Sequence, residues 1–190
     1  LVAKTAVTGA ADLTAAGATA LTINVNDYIT TTGANITTAL ATSVALNVAS
    51  AKSTAATPVE QTSFDGTITA AAATSFEAAI LGSVTATGAI TVDLATTATI
   101  TNGSTAGVMN LQAAVLDTMT LTSDTAFSSV GSDLGALQVF TANVNDGELT
   151  MNTLGTELIS MSTMNVGGTG VTAGTATNSS AAFAAMGGDN

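Results

Sequence analysis

Apolar and polar residues alternate in short stretches along this chain, and the alternation predicts β-strands. In Thr118-Met-Thr-Leu-Thr122 and Ile159-Ser-Met-Ser-Thr-Met-Asn-Val166 the apolar side chains largely share one side, and Thr, Ser or Asn takes the other. Similar stretches occur at Leu21-Thr-Ile-Asn-Val25, Val44-Ala-Leu-Asn-Val48, Phe64-Asp-Gly-Thr-Ile68 and Val84-Thr-Ala-Thr87. They continue at Thr99-Ile-Thr101, Gln138-Val-Phe-Thr141 and Leu158-Ile-Ser-Met161. Their starts lie roughly 15 to 23 residues apart, most often about 20, a period that suits the rungs of a solenoid better than hairpins. Clusters such as Gly33-Ala-Asn35, Asn102-Gly-Ser104 and Asn145-Asp-Gly147 separate them and read as turns.

The fold class expected is therefore all-β, a parallel β-helix with rungs of about 20 residues. Inward side chains would stack rung upon rung into a narrow core that favours small residues over aromatics. Outward Thr would fit the pleated surface through its branched Cβ. An antiparallel β-sandwich is the rival, because Asn145-Asp-Gly147 would also close a hairpin between Val139-Phe-Thr-Ala142 and Glu148-Leu-Thr-Met151. Thr74–Leu81 and Ser180–Met186 read as short helices, and Pro58 marks a loop projecting between rungs. Residues 1–190 are expected to form one solenoid segment of a larger secreted chain.

Composition narrows the chemistry. Lys4 and Lys52 are the only basic residues against 13 acids, and Arg, His, Cys and Trp are missing. Without His and Cys the usual proton shuttles, thiol nucleophiles and soft-metal ligands are lacking. Without Arg there is no bidentate anchor for phosphate or carboxylate. A net charge of −11 disfavours nucleic acid and anionic lipid as partners. With 46% apolar and only 8% charged residues the chain does not fit the disordered class. No apolar run reaches the length of a membrane span. Carboxylates with so few cationic neighbours must stay solvated or share divalent ions, and Ca²⁺, a hard cation that takes Asp, Asn and backbone oxygens, is the expected cofactor.

Two segments share the pattern Asn-Val-Asn-Asp at the end of a predicted strand, Asn24-Val-Asn-Asp27 and Asn143-Val-Asn-Asp146. Alternation would put the first and third residues on one face with the Asp at the turn. Asn24, Asn26, Asp27, Asn143, Asn145 and Asp146 are accordingly the candidate metal ligands. Asn and Asp at such places also serve as plain turn formers. Thr-x-Thr recurs at Thr67–Thr69, Thr85–Thr87, Thr97–Thr101 and Thr118–Thr122. Aligned ranks of such pairs on a solenoid face would make an ice-binding surface, but their uneven spacing along the sequence argues against one lattice. Polysaccharide lyase chemistry lacks its basic residues, and no enzyme activity is expected. Gly167-Gly-Thr-Gly170 is not a phosphate loop, since no Lys-Ser/Thr follows it.

The Ala/Thr/Gly enrichment, the scarcity of basic residues, the lack of Cys and phrases such as Ile90-Thr-Val-Asp-Leu-Ala-Thr-Thr-Ala-Thr-Ile100 resemble bacterial surface-layer proteins of the RTX, type I secreted kind. Gly187-Gly-Asp189 is similar to the start of their calcium-binding nonapeptide, although no complete nonapeptide is present. The resemblance implies an irregular right-handed β-solenoid with calcium between rungs and at subunit contacts, located outside the cell at its surface. It implies self-assembly into a homo-oligomeric lattice. A cell-surface glycan or lipopolysaccharide, reached through another part of the chain, is the further partner expected. The alternative function is an extracellular adhesin or filament subunit.

Overall fold

The protein is described by a computed structural model. It describes residues 2–3, 7–8, 12–25, 30–48, 63–81, 86–103, 107–129, 132–134, 136–145, 148–151, 160–166 and 170–173. Among these residues every regular element is a strand, and the strands form two sheets. The first sheet stacks β1 (Val2–Ala3), β4 (Ala20–Val25), β6 (Ser43–Val48), β8 (Ser75–Ile80), β10 (Thr97–Asn102), β12 (Thr118–Ser123), β14 (Val139–Val144) and β16 (Ser160–Val166), in that order. The second stacks β2 (Val7–Thr8), β5 (Thr30–Thr38), β7 (Ser63–Ala70), β9 (Ala86–Thr91), β11 (Gly107–Gln112), β13 (Phe127–Ser128), β15 (Glu148–Met151) and β17 (Gly170–Ala173), while β3 (Asp12–Thr14) also pairs with β5. The chain thus passes from one sheet to the other and back, and every pairing is parallel, as in β10 with β8 and β12. This is a parallel β-solenoid, as the sequence predicts, with two strands to a rung.

Equivalent residues in successive rungs lie 23, 32, 22 and 21 residues apart from β4 onward. The wide interval falls between β6 and β8, and the segment with Pro58 within it lies outside the described residues. Elsewhere the rung is kept short by tight turns. Four-residue turns at 15–18, 70–73, 92–95, 113–116 and 134–137 are each closed by a hydrogen bond from the fourth N–H to the first carbonyl, from 2.8 to 3.2 Å long. In four of these turns the fourth residue points inward, Ala73, Ala95, Leu116 and Leu137, and Ala41 at the equivalent place is buried in the same column, whereas Ala18 at the first turn is half-buried. The next residue locks the rungs together. The Thr42 N–H donates to the Thr19 carbonyl (2.9 Å), Thr74 to Thr42 (2.9 Å) and Thr96 to Thr74 (3.0 Å). The hydroxyls of Thr42 and Thr74 donate to those same carbonyls at 3.3 and 3.2 Å.

Alternation sorts the first sheet into an inner and an outer face. Three inner columns run through it: Leu21, Val44, Phe76, Ala98, Met119, Phe140; then Ile23, Leu46, Ala78, Ile100, Leu121, Ala142; then Val25, Val48, Ile80, Asn102, Ser123, Val144. Bulk is balanced within a rung, since each of β8 and β14 places Ala two residues after its Phe. The second sheet adds Ile36, Phe64, Ile68, Ile90, Met109, Leu111, Phe127 and Leu149. Aromatics are therefore inside this core: Phe64, Phe76, Phe127 and Phe140 are all buried. A gap among the described residues, lined by Ile100, Met109, Leu111, Met119, Phe127 and Leu134 among others, admits no water molecule.

Two readings of the sequence are corrected here. Ser75–Ile80 is a strand and not part of a helix, because Phe76, Ala78 and Ile80 alternate with outward Ser75, Glu77 and Ala79 and both edges are paired, to β6 and β10. Val139–Val144 and Glu148–Met151 belong to different sheets, so Asn145-Asp-Gly147 joins two sheets of one rung and closes no hairpin. The second suggested helix, Ser180–Met186, lies outside the described residues.

Two polar groups that enter the core are held by hydrogen bonds between rungs. The Asn102 amide donates to the Ser123 hydroxyl at 2.7 Å, and that hydroxyl donates to the Thr125 carbonyl at 2.6 Å. The Ser132 hydroxyl accepts the Leu111 N–H (2.9 Å) and donates to the Met109 carbonyl (3.2 Å), which continues the ladder where β13 ends after two residues. Asn102→Val is expected to lower stability by about 1–3 kcal/mol, the cost of leaving buried polar partners unmet. The check is the urea midpoint at constant slope. An unchanged or raised midpoint would show that apolar packing alone governs this column.

Candidate functional site

Among the described residues the interior is closely packed, and most polar side chains lie on the outer faces. Outward columns of the first sheet read Ala20, Ser43, Ser75, Thr97, Thr118, Val139; Thr22, Ala45, Glu77, Thr99, Thr120, Thr141; and Asn24, Asn47, Ala79, Thr101, Thr122, Asn143. The register runs without a shift from β4 to β14 and breaks only between β14 and β16. On the second sheet Asp12, Asn35 and Thr67 form one outward column. It is tied by an Asn35 amide donating to the Asp12 carboxylate (2.9 Å) and a Thr67 hydroxyl donating to the Asn35 carbonyl oxygen (2.7 Å).

The six candidate ligands fare unequally. Asn26, Asp27 and Asp146 lie outside the described residues. The Asn24 carbonyl oxygen accepts the Asn47 amide at 2.9 Å, so it is engaged in an asparagine ladder between rungs, and the Asn24 end is a poor fit to a cation. At the other end the Asn143 Oδ1 is buried with no hydrogen-bond donor. Two residues on, the Asn145 amide donates to an Asp124 carboxylate oxygen of the preceding rung at 2.9 Å. An oxygen acceptor without a donor, on a strand that runs into an amide-carboxylate pair, is the donor chemistry a hard cation takes. Asn143, Asn145 and Asp124, the last a carboxylate the sequence pattern does not point to, are therefore the described oxygens from which a calcium site would be built. Among the described residues no group of three or more Asp or Glu side chains is gathered to hold a metal.

Three of the described acids accept hydrogen bonds from neutral donors. Besides Asp12 and Asp124, Asp117 accepts the Thr118 hydroxyl at 3.3 Å. Both lysines lie outside the described residues. A second surface feature escaped the sequence pattern because it sits in the turns: Leu40, Leu94 and Val115 are exposed, at 56%, 52% and 44%, at equivalent positions one step before the buried turn residue.

The Thr-x-Thr groups are also sorted by the fold. Thr97, Thr99 and Thr101 lie directly beside Thr118, Thr120 and Thr122, in register on one face. Thr67 and Thr69 are on the other sheet, and Thr85 lies outside the described residues. The uneven spacing in sequence therefore conceals one aligned block. Comparison with protein-family models, with curated proteins and with solved structures gives no match.

Proposed function

We propose that this chain is a structural segment of a self-assembling, calcium-dependent cell-surface lattice. The observation that carries the reading is the parallel stack, whose outward positions stay in register from rung to rung from β4 to β14 around a core that the described residues pack closely. Such a body presents long, regular faces and needs no pocket. The chain carries 13 acids against two lysines, so in low calcium its carboxylates repel one another within and between copies. Calcium at the millimolar level outside a cell bridges them, and binding to the folded form stabilises it by mass action. Asn143, Asn145 and Asp124 would supply oxygens to one such ion. The resemblance to surface-layer proteins agrees with this role.

The test is a calcium titration followed by light scattering and circular dichroism, ending in electron microscopy. Particle growth is expected within the range of about 10⁻⁴–10⁻³ M that suits extracellular calcium modules, with reversal by chelator. Ordered two-dimensional arrays would support a lattice. Single fibres would support the filament reading, which the one-dimensional repeat of the solenoid favours as second choice. No change in scattering or stability on addition of calcium would remove the calcium-dependent lattice.

A further inference from the structure

We infer that the outer face of the first sheet, centred on β10 and β12, is an ice-binding surface, its ligand the ordered water lattice of an ice crystal. The argument is independent of the calcium reading. It starts from register: Thr97, Thr99 and Thr101 are paired one to one with Thr118, Thr120 and Thr122, and Thr141 extends the middle column on β14. Parallel strands fix the spacing of such an array at about 4.8 Å between rungs and about 6.6 Å between alternate residues. Those two repeats are close to the oxygen repeats on planes of hexagonal ice.

Three properties of the face favour this occupant. A β-branched side chain has few χ1 states, so each Thr holds its hydroxyl and methyl in a nearly fixed position, and water ordered over one rung continues over the next. Among the described residues the hydroxyls of Thr99, Thr101, Thr120 and Thr122 make no hydrogen bond, unlike those of Thr42 and Thr74, which donate to carbonyls in the turns. They are left to water. Charge is the third property. The chain carries −11 overall, yet the outward positions of β10, β12 and β14 are all uncharged, and Glu77 on β8 marks where the neutral block stops. A neutral hydroxyl face matches a neutral hydroxyl lattice, and the oxygens proposed for calcium, Asn143, Asn145 and Asp124, lie at the edge of this block and outside its six paired threonines. The face also carries no aromatic side chain on which a sugar ring would stack, which sets ice ahead of a crystalline polysaccharide.

The experiment observes ice crystals in a solution of the folded protein, with calcium and with chelator, and measures thermal hysteresis and inhibition of recrystallisation. The wild-type chain is expected to shape the crystals and to hold them between melting and growth. T99K/T120K is expected to lose both effects, and T120Y, a bulky residue that still favours strands, to lose them as well. T69K, on the opposite face, is expected to keep them. Far-UV circular dichroism confirms that each variant retains the fold. A folded wild-type chain with no effect on ice would overturn the inference, as would equal activity in all variants. Retention on crystalline cellulose or chitin without any effect on ice would overturn it in favour of a glycan surface. A calcium-independent ice effect would stand even if the lattice reading failed.

Discussion

Gly88→Ala is expected to destabilise the solenoid by at least about 3 kcal/mol, the upper part of the range for forcing atoms into a packed site. A methyl group at Gly88 would run into the carbonyl of Gly66 on the rung before. The obstacle is backbone, so no rotamer change relieves it. The site sits in an irregularity of the ladder: Met109 and Asn110 of β11 are adjacent, but their partners Ala86 and Ala89 on β9 are separated by Thr87 and Gly88. Two glycines meeting across this bulge let the chain carry extra residues without parting the rungs. Gly17→Ala is the control, because a methyl there meets nothing within 4 Å and the residue is exposed. Its expected effect is neutral or a gain of about 0.4–1 kcal/mol from the stiffer unfolded chain. Chemical denaturation of the two variants side by side decides the matter. A Gly88→Ala midpoint equal to that of Gly17→Ala would show that the rungs are not in close contact at this bulge.

The fold class was legible because alternation is a property of single strands. Thr118–Thr122 and Val44–Val48 show it without help from neighbours, and both are strands with buried Leu or Val on one side. Their arrangement was harder to read. A rung holds two strands, and the period near 20 residues came from following one of them in each rung. At β8 that series slipped. Ser75-Phe-Glu-Ala-Ala-Ile80 has Ala and Glu in place of β-branched residues, and it resembles a helix turn when taken alone. Of the stretches nearby, the one around Phe64 and the Ala86-Thr87 end of the other belong to the second sheet, while Val84 and Thr85 lie outside the described residues. Pairing on both edges decides for strand there, and a single sequence carries no record of pairing. Several second-sheet strands, such as Gly107–Gln112, escaped notice because Gly, Asn and Gln dilute their pattern.

The candidate site was legible only in part, for a related reason. Asn-Val-Asn-Asp looks the same at both places, yet the neighbouring rung gives the two copies different surroundings. Asn24 meets Asn47, an amide able to donate, whereas Asn143 lies beside Thr122 in the ladder and its oxygen has no donor. Asp124 enters from 21 residues away, a distance at which no local motif would join it to Asn145. The threonine block shows the same effect. Thr97–Thr101 and Thr118–Thr122 become one surface because the rung between them is 21 residues long, while Thr67–Thr69, equally regular as a motif, faces the other way. In a solenoid the length of the rung is what converts sequence motifs into surface geometry.

Core packing keeps that geometry stiff, and Phe140 is where it can be tested most strongly. Its side chain is fully buried in the first inner column, in register with Met119 of the rung before. The next inward residue on its strand is Ala142, whose methyl group is too short to fill the space left if the ring is removed. Phe140→Ala is expected to cost about 3–5 kcal/mol, the transfer of the ring to water plus the cavity left behind. Ala142→Leu alone would overpack the site, whereas Phe140→Ala with Ala142→Leu returns part of the lost volume and is expected to recover part of the stability, a coupling that separate effects would not produce. Urea denaturation of the four proteins completes the cycle. A loss below about 1 kcal/mol for Phe140→Ala would mean that the column is loosely filled. Thr141 is carried on the same strand in register with Thr120, so a loose column would also leave the outer array without the rigidity that lattice contacts and ordered water both require.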